Sequence, residues 1–436
     1  MPSSETIYTK RKRIAELARN APDMAFTSLN HYLDMEWLKE AYRLTRKDGA
    51  AGVDGKSGRE YGENLEVNLQ DLLNRAKSGT YRAPPVRRVH IPKGGGAETR
   101  PIGIPSFEDK VLQRAVVMIL ECIYEEDFYS FSYGFRKGRS AHQALEEIWR
   151  RTMVGMGKWV VELDIQKFFD TVSHSHLRTL LNQRVRDKVL LRLIVKWLKA
   201  GVLENLKVSY PKSGTPQGGV ISPLLANVYL HEVLDKWFET EVKRRLNGLS
   251  FMVRYADDAL LVFNHERDAR RVMDVLPKRF SKFGLALHPD KTRLLHFAPR
   301  PLCDSTAPRN FDFLGFTHYW GQSRKGNWVV KRKTAKDRLT QSLRGVKEYC
   351  RRYRHEPLWK QHKDLGRKLK GHYSYYGITG NSKSLITFRY EAARVWYKWL
   401  TRRSQRKTLD WNSFYNIQTK FPLPPPIAVH SYLRRK

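Results

Sequence analysis

The sequence FMVRYADDALLVF, residues 251–263, places two adjacent aspartates between two apolar runs. Apolar runs on either side of a short polar step predict two strands joined by a tight turn, with YADD at the tip of the hairpin. Aspartate is common in turns because its side chain bonds nearby backbone amides. This stretch alone therefore leaves two interpretations of Asp257 and Asp258 open, as turn residues or as catalytic carboxylates.

The charge of the chain indicates what it binds. The 436 residues include 80 lysines and arginines against 44 aspartates and glutamates, a formal net charge of +36. Such an excess favours a polyanionic partner, because basic side chains that neutralise phosphates release condensed counterions. From residue 321 to residue 436 there are 29 basic against 6 acidic residues. We therefore expect this basic C-terminal region to bind nucleic acid.

Other classes of protein fit the sequence poorly. The cysteines at 122, 303 and 350 form no closely spaced pair, which argues against a disulfide framework or a zinc ribbon. There is no stretch of 18 apolar residues and no signal-peptide pattern at the start of the chain. The length allows two or three domains. The sequence predicts a soluble, cytoplasmic protein without a membrane partner.

A third carboxylate changes the reading of the aspartate pair. In WVVELDIQKFFD, residues 159–170, Asp164 ends an apolar run that predicts a buried strand. Alone, Asp164 is better explained as a turn residue at the end of a strand. Together with Asp257 and Asp258 it matches the requirement of two-metal nucleotidyl transfer, in which carboxylates bind two Mg²⁺ ions about 3.5–4 Å apart. Mg²⁺ prefers such oxygen ligands and the oxygens of substrate phosphates.

The chain resembles a known family in seven ordered stretches, which are similar to the successive sequence blocks of bacterial group II intron reverse transcriptases. They are VRRVHIPKGGGAETRPIGIP (86–105), FSYGFRKGRSAHQAL (131–145), VVELDIQKFFDTVSH (160–174), GTPQGGVISPLLANVYL (214–230), FMVRYADDALLVF (251–263), FGLALHPDKT (283–292) and FDFLGF (311–316). TRKDGAAGVDG (45–55) resembles the N-terminal insertion of these enzymes, and GHYSYYGITGN (371–381) resembles the signature of their maturase domain.

The resemblance implies an α+β fold of the right-hand polymerase type, with fingers and a palm that carries the YADD hairpin, followed by a helical thumb and maturase domain. The implied divisions are an N-terminal extension with a glycine-rich insertion (1–60), fingers and palm (61–320), thumb and maturase domain (321–400) and a basic tail (401–436). Within the palm, Asp164, Asp257 and Asp258 match the carboxylates that bind two Mg²⁺ ions, and the backbone carbonyl of Ile165 is implied as a further ligand.

The resemblance also implies a binding site for the incoming dNTP. Lys93 and Arg100 flank the GGGAE turn, where their charges would neutralise the triphosphate. Gln217 matches the residue beside the nucleotide. Phe169 matches an aromatic gate that excludes the 2′-hydroxyl, although one of the adjacent rings Phe168 and Phe169 is expected to fill core. Lys291 matches a lysine near the triphosphate that donates a proton to pyrophosphate.

The basic C-terminal region contains both aromatic and basic side chains, which suits unpaired bases and phosphates. We expect at least half of the aromatic residues between 371 and 399 to be core instead, notably Trp396, which has Leu400 at helical spacing. The RNA-binding residues predicted beyond this segment are Arg402, Arg403, Arg406 and Lys407.

The resemblance implies an RNA-directed DNA polymerase of a group II intron, which copies intron RNA into cDNA and assists splicing and mobility. Its partners would be intron RNA, an RNA template with a DNA primer, target DNA and dNTPs. Because no endonuclease motif precedes Lys436, we do not expect it to cut a second target strand. A splicing-only maturase and a domesticated or defence-associated reverse transcriptase are the alternatives, and the three aspartates, retained together with Lys93, Arg100 and Gln217, favour an active polymerase.

Overall fold

A computed structural model of the chain describes residues 4–92, 99–155, 157–204, 207–210, 213–214, 218–299, 310–404 and 409–430. These residues form a mixed α/β structure that divides into two compact units. The first unit contains the described residues up to 92, from 99 to 144 and from 160 to 294. The second unit contains those from 145 to 159 and from 295 onward.

Several helices begin at a side-chain cap, because a side-chain oxygen accepts an amide hydrogen that the first turn leaves unpaired. Asp34, Ser106 and Asp187 are caps of this kind. The α-helices in chain order are α1 (Ser4–Asn20), α2 (Met35–Leu44), α3 (Gly58–Glu63), α4 (Leu65–Ser78), α5 (Phe107–Asp127), α6 (Ala141–Met153), α7 (Phe168–Thr171), α8 (His174–Arg184), α9 (Lys188–Leu198), α10 (Ser222–Leu230), α11 (Glu266–Ser281), α12 (Lys336–Arg352), α13 (Leu358–Tyr376), α14 (Ser382–Leu400) and α15 (Trp411–Lys420).

The strands form three sheets. In chain order they are β1 (Val86–Pro92), β2 (Thr99–Ile104), β3 (Trp159–Leu163), β4 (Val202–Glu204), β5 (Lys207–Ser209), β6 (Ser250–Tyr255), β7 (Asp258–Phe263), β8 (Arg293–His296), β9 (Asn310–Phe313), β10 (Phe316–Gln322) and β11 (Trp328–Thr334). The strand orders are β2-β1-β4-β5, β6-β7-β3-β8 and β11-β10-β9.

The core of the first unit surrounds α5 and the central strands of the β6-β7-β3-β8 sheet. Helix α5 is buried along most of its length, and α1 and α2 pack against it. On β7 the residues from 259 to 263 are all buried, whereas Asp258 at the start of the strand is exposed. This difference leaves the first residue of a core strand accessible to solvent.

Two segments of the first unit differ from the sequence prediction. The sequence from Leu224 to Leu246 predicts one helix, but after α10 the chain forms π-helix over His231–Lys236 and Phe238–Val242. The sequence from residue 285 to 297 predicts a strand, yet only β8 is extended over several residues. The residues before β8 form turns at Pro289, because proline lacks a donor for a strand ladder and the Asp290 that follows favours turns.

In the second unit, α12, α13 and α14 share one apolar core with α15. Trp396 is fully buried and Leu400 is 6% exposed, which confirms that they are core residues. The indole N–H of Trp396 donates to Gln361 Oε1 at 2.9 Å, so that its one polar atom is paired. His372, Tyr373 and Phe388 are also buried, so these aromatic side chains are core as well.

None of the helices in the described part of the chain is both long enough and apolar enough to cross a membrane.

Candidate active site

The aspartate pair lies at the tip of an antiparallel hairpin. Strands β6 and β7 are in register from Ser250 opposite Phe263 to Tyr255 opposite Asp258, which leaves Ala256 and Asp257 as a two-residue turn. Ala256 has a φ of +57°, the left-handed conformation that such turns require at one or both of their central residues. Asp257 is half-buried and Asp258 is exposed. The hairpin thus presents two consecutive carboxylates at the end of a core sheet.

Asp164 follows directly after β3, the strand that lies beside β7 in the sheet. Its backbone carbonyl accepts a hydrogen bond from the amide of His288 at 2.9 Å, and Gln166 donates its amide to Ala286 at 2.8 Å. An isolated bridge joins the intervening Ile165 to Leu287. The chain before β8 therefore fixes the backbone around Asp164, a long-range arrangement that the sequence alone did not indicate.

Lys291 lies in the same turn and contacts the predicted carboxylate. Its ammonium nitrogen is 3.4 Å from Oδ2 of Asp164, although the two residues are 127 positions apart. The lysine side chain is 55% exposed, so solvent can exchange protons with it. The sequence prediction placed Lys291 near the triphosphate, and the structure places it beside Asp164.

Three charged side chains act on the pKa of the Asp257 carboxyl. Burial raises the pKa of the Asp257 carboxyl, and the nearby charge of Asp164 raises this pKa further. The positive charges of Arg100 and Arg254 act in the opposite direction. Arg100 stands on β2, opposite Ile91 on β1. Asp164 and Arg100 therefore both act on the pKa of the Asp257 carboxyl, in opposite directions.

The donor chemistry of this site fits a hard cation. The carboxyls of Asp164 and Asp257 interact unfavourably when both are ionised, and a bound divalent ion would reverse that effect on the pKa. Mg²⁺ takes oxygen ligands of this kind. Within the described residues, however, no three histidine, cysteine or acidic side chains are grouped closely enough to hold a metal ion. The ligand types are therefore present without a closed metal cage.

The adjacent phenylalanines after Asp164 are distinguished by burial. Lys167 has a φ of +46° and precedes α7, so the chain turns sharply between the aspartate and the two rings. Phe168 is 2% exposed and packs near Tyr229, whereas Phe169 is only partly buried. Phe168 is thus the ring that fills core, and Phe169 is the one that remains accessible.

Gly214 and Gly218 each lie close to a part of the predicted nucleotide site, whereas Gln217 and Lys93 lie outside the described residues. A Cβ built on Gly214 would lie 2.8 Å from the carbonyl oxygen of Phe169. A Cβ on Gly218, whose φ is +107°, would lie 2.5 Å from the carbonyl oxygen of Gly103 on β2. Glycine at these two positions permits the close backbone contacts.

The sequence reasoning missed the residues that lie behind the aspartate hairpin. Arg254 is fully buried, although it occurs in the apolar strand β6. A Cβ on Gly134 would lie 2.2 Å from the amide nitrogen of Ala256, so Gly134 packs directly beneath the turn. An arginine inside a run of core residues was the available signal, because a buried cation requires partners elsewhere in the fold.

The predicted RNA-binding cluster is described only in part. Arg402 is exposed, and its guanidinium lies over the ring of Trp399 at 5.4 Å. Arg403 is partly buried and donates hydrogen bonds to the backbone carbonyls of Arg354 and Glu356. Arg406 and Lys407 lie outside the described residues. Arg402 is therefore available to a partner, whereas the guanidinium of Arg403 stabilises its own unit.

Comparison with known proteins places this site within a family. Residues 91–318 match the family described as reverse transcriptase (RNA-dependent DNA polymerase). The chain is 42% identical over 229 residues to the group II intron-encoded protein LtrA of Lactococcus lactis subsp. cremoris, covering 52% of this chain and 37% of that protein. It is 34% identical over 332 residues to protein YkfC of Escherichia coli, covering 66% and 85% respectively.

A third relative comes from a eukaryote. The chain is 34% identical over 245 residues to a protein of Saccharomyces cerevisiae named putative COX1/OXI3 intron 2 protein, covering 56% of this chain. The matched part is 28% of the yeast protein. The chain thus spans well under half the length of LtrA and of the yeast protein, and most of the length of YkfC.

Proposed function

The chain belongs to the reverse transcriptase family, and we propose that it is the RNA-directed DNA polymerase of a group II intron. The observation that carries this proposal is the juxtaposition of Asp164 with the Asp257–Asp258 hairpin, on the neighbouring strands β3 and β7. The effect of Asp164 on the pKa of Asp257 supports their proximity. All three carboxylates lie within the part of the chain that matches the family.

The proposed cofactor is a pair of Mg²⁺ ions, since reverse transcriptase domains generally depend on divalent metal ions. Asp164, Asp257, Asp258 and the backbone carbonyl of Ile165 would hold them. When bound, such a pair of ions supplies charge stabilisation at the entering oxygen and the departing pyrophosphate. The hairpin turn and the pairing of residues 164–166 with residues 286–288 fix the backbones that carry these ligands.

Basic residues of the β1–β2 hairpin would bind the triphosphate of the incoming dNTP. Arg100 is close enough to Asp257 to lower the pKa of that carboxyl, which supports its position beside the reacting phosphates. Lys93 is proposed to act with it from the other side of the turn. Gln217 would lie beside the nucleotide, because Gly218, directly after it, packs against β2.

Phe169 is proposed to select deoxyribonucleotides. Its ring is only partly buried, and the adjacent Phe168 already fills the core beneath it. A ring that touches the sugar would collide with the 2′-hydroxyl of a ribonucleotide. It would leave room for the 2′-hydrogen of a deoxyribonucleotide. The close approach of Gly214 to the Phe169 carbonyl would limit how far this residue can move away from the sugar.

Lys291 is proposed to donate a proton to the departing pyrophosphate. Its ammonium group lies 3.4 Å from Asp164, beside the carboxylates where the leaving group would form. An ammonium group there would protonate a phosphate oxygen as negative charge builds up on it. Because the side chain is largely exposed, a proton from solvent can restore the charged lysine.

The proposed architecture is a right-hand polymerase that holds several nucleic acids. Fingers and palm would occupy residues 61–320 after an N-terminal extension (1–60), a thumb and maturase domain residues 321–400, and a basic tail residues 401–436. The basic C-terminal region would bind the RNA template with its DNA primer, intron RNA and target DNA. In that role it would assist splicing and mobility of the intron.

Two alternative functions remain testable. In a splicing-only maturase the polymerase site would be vestigial, and the retention of the three aspartates speaks against this. A domesticated or defence-associated reverse transcriptase would keep the chemistry but serve another role. Finding the gene within an intron that has a catalytic RNA domain would favour the intron enzyme over the domesticated one.

Primer extension tests the proposed activity. The full chain would be given an annealed RNA template and DNA primer, all four dNTPs and Mg²⁺, and the product would be sequenced. We expect template-directed extension that stops when Mg²⁺ is chelated. Tight binding of intron RNA without any extension would instead establish the splicing-only alternative.

A further inference from the structure

Arg254 is a buried charge near the proposed active site, and all of its hydrogen-bond donors are paired. It is 0% exposed, and each of its five N–H donors has a partner. Nε and Nη2 donate to the two carboxylate oxygens of Asp235 at 2.7 and 2.5 Å. The remaining donors reach Asn227 Oδ1 at 2.9 Å, Ser132 Oγ at 2.7 Å and the carbonyl oxygen of Ala256 at 2.9 Å.

The last of these bonds connects the arginine to the aspartate turn. Ala256 directly precedes Asp257 and adopts the left-handed conformation, which is strained for a residue with a Cβ and persists only where its surroundings impose it. Arg254 binds the carbonyl of Ala256, while Gly134 packs against the amide of the same residue. The turn is therefore held from both sides.

Asn227 joins these two sides. Its Nδ2 donates to the carbonyl oxygen of Gly134 at 2.8 Å, and its Oδ1 accepts from Arg254. The backbone of residues 131–133 is also bound to β6, because Tyr133 donates its amide to the carbonyl of Arg254 and Arg254 donates its amide to Phe131, both at 2.9 Å. The hydrogen bonds thus form a closed circuit around the turn.

Stability is a weak explanation for this arrangement. Removing two charges from water is unfavourable, and apolar residues of similar volume often replace a buried ion pair without loss of stability. His231 lies 3.9 Å from Asp235, but burial lowers its pKa to about 4, so it is neutral near pH 7. Arg254 is then the cation that balances Asp235, and its other bonds fix one geometry of the turn.

We propose that Arg254 and Asp235 are positioning residues for polymerisation, which hold the Ala256–Asp257 turn so that the carboxylates of Asp257 and Asp258 face the reacting phosphates. This inference rests on the proposed function. It assigns to Arg254 no contact with substrate, only the orientation of the hairpin tip. Loosening the ion pair would therefore disturb the turn first and the chemistry as a consequence.

A second buried ion pair of the first unit provides a matched control. Arg184 is 7% exposed and binds both carboxylate oxygens of Asp127, at 2.8 and 3.0 Å. Its other donors reach the backbone carbonyls of Ala18, Ala21 and Met24. This pair resembles the Arg254–Asp235 pair in its two-pronged bonding, although the Asp127 side chain is 16% exposed and that of Asp235 is fully buried. None of the bonds of Arg184 reaches the aspartate hairpin.

The test compares Arg254→Lys and Asp235→Asn with Arg184→Lys and Asp127→Asn in the full chain. Hydrogen exchange of the amides from 255 to 259 would be measured without nucleotide or metal, and steady-state primer extension would be measured over a range of Mg²⁺ concentrations. We expect faster exchange at the turn and a kcat lower by about 10- to 100-fold in the first two variants only. The KM for dNTP should stay within about threefold in these variants.

Two results would overturn the proposal. One is unchanged exchange at the turn in a folded Arg254→Lys chain, and the other is a loss of kcat that the Arg184 and Asp127 variants share. If Arg254→Lys does not fold, Asn227→Ala removes only the link between Arg254 and Gly134 and must show the same selective loss. The exchange measurement needs no activity, so it separates failure of this proposal from failure of the proposed polymerase function.

Discussion

The aspartate hairpin and the helices of the second unit use charge in opposite ways. Behind Asp257 the ion pair of Arg254 and Asp235 is fully buried, and each donor of Arg254 is bonded within the protein. On α14 the buried residues are apolar or aromatic, whereas Lys383, Arg389 and Arg394 are exposed. Catalysis requires charges in fixed positions, and binding of a long polyanion requires many accessible ones.

The largest expected effect comes from substitutions in the aspartate hairpin. Asp257→Asn or Asp258→Asn should reduce primer extension by at least about 10³-fold, because several kcal/mol of charge stabilisation would be lost. Affinity for RNA should change little, since these carboxylates bind no phosphate directly. Extension with Mg²⁺ at the wild-type rate in either variant would show that the assignment of the metal-binding carboxylates is wrong.

The adjacent phenylalanines sharpen the comparison within the first unit. Phe169→Ala should increase incorporation of ribonucleotides by about 10-fold or more, because the ring that we propose to exclude the 2′-hydroxyl is removed. Phe168→Ala should instead lower the free energy of unfolding by about 3–5 kcal/mol, because this ring is buried. Single-nucleotide extension with dNTPs and rNTPs measures the first effect, and denaturant unfolding measures the second. Unchanged discrimination between dNTPs and rNTPs in Phe169→Ala would show that another residue excludes the 2′-hydroxyl.

Substitutions in the predicted RNA-binding cluster test whether the accessible charges of the second unit bind RNA. Neutralising Arg402, Arg406 and Lys407 to glutamine should lower the log–log salt slope of intron-RNA affinity by about 0.7–0.9 for each lost phosphate contact. Splicing assistance should fall, while extension of an annealed template and primer at saturating concentration should change much less.

Arg403 is the matched control for that variant. Because its guanidinium binds the carbonyls of Arg354 and Glu356, Arg403→Gln should lower the free energy of unfolding by about 1–3 kcal/mol. An unchanged salt slope and intact splicing in the triple variant would show that the cluster only keeps this surface soluble. The intron-binding surface would then lie elsewhere, for example on the helices before Gly49.

A further expected effect concerns the pH dependence of the second unit. Burial lowers the pKa of His372 to about 4, against an unfolded value of about 6.5, so the unfolded chain binds the extra proton. Its contribution to stability is therefore complete above pH 6.5 and falls between pH 6.5 and 4, by up to about 3 kcal/mol. His372→Phe should reduce this acid sensitivity in unfolding measured at pH 5 and pH 7. His355→Gln, an exposed control, should not.

Local features of the fold were predictable because their signals are short in range. Ser173 before an apolar periodic stretch predicted a helix from 173 to 185, and α8 spans His174–Arg184 with Ser173 as its cap. The helical spacing of Trp396 and Leu400 predicted two core residues, which the structure confirms. Capping and periodicity involve residues within one or two turns of each other, so the sequence displays them directly.

Long-range features were not predictable from one sequence. Asp235 lies in a π-helical turn and Arg254 lies on β6, 19 positions later, and nothing in the local pattern relates the two charges. The contact of Lys291 with Asp164 depends on a turn that replaced the expected strand. Both arise from tertiary packing, which fixes partners that lie far apart in the chain.

The central claim is that chemistry and RNA binding reside in separate sets of charges, and one paired measurement tests it most directly. Asp258→Asn and the triple variant of Arg402, Arg406 and Lys407 would each be assayed for single-turnover extension at saturating enzyme and for the salt slope of RNA affinity. We predict that Asp258→Asn loses extension and keeps the slope, whereas the triple variant keeps extension and loses slope. Parallel loss of both properties in either variant would contradict the claim.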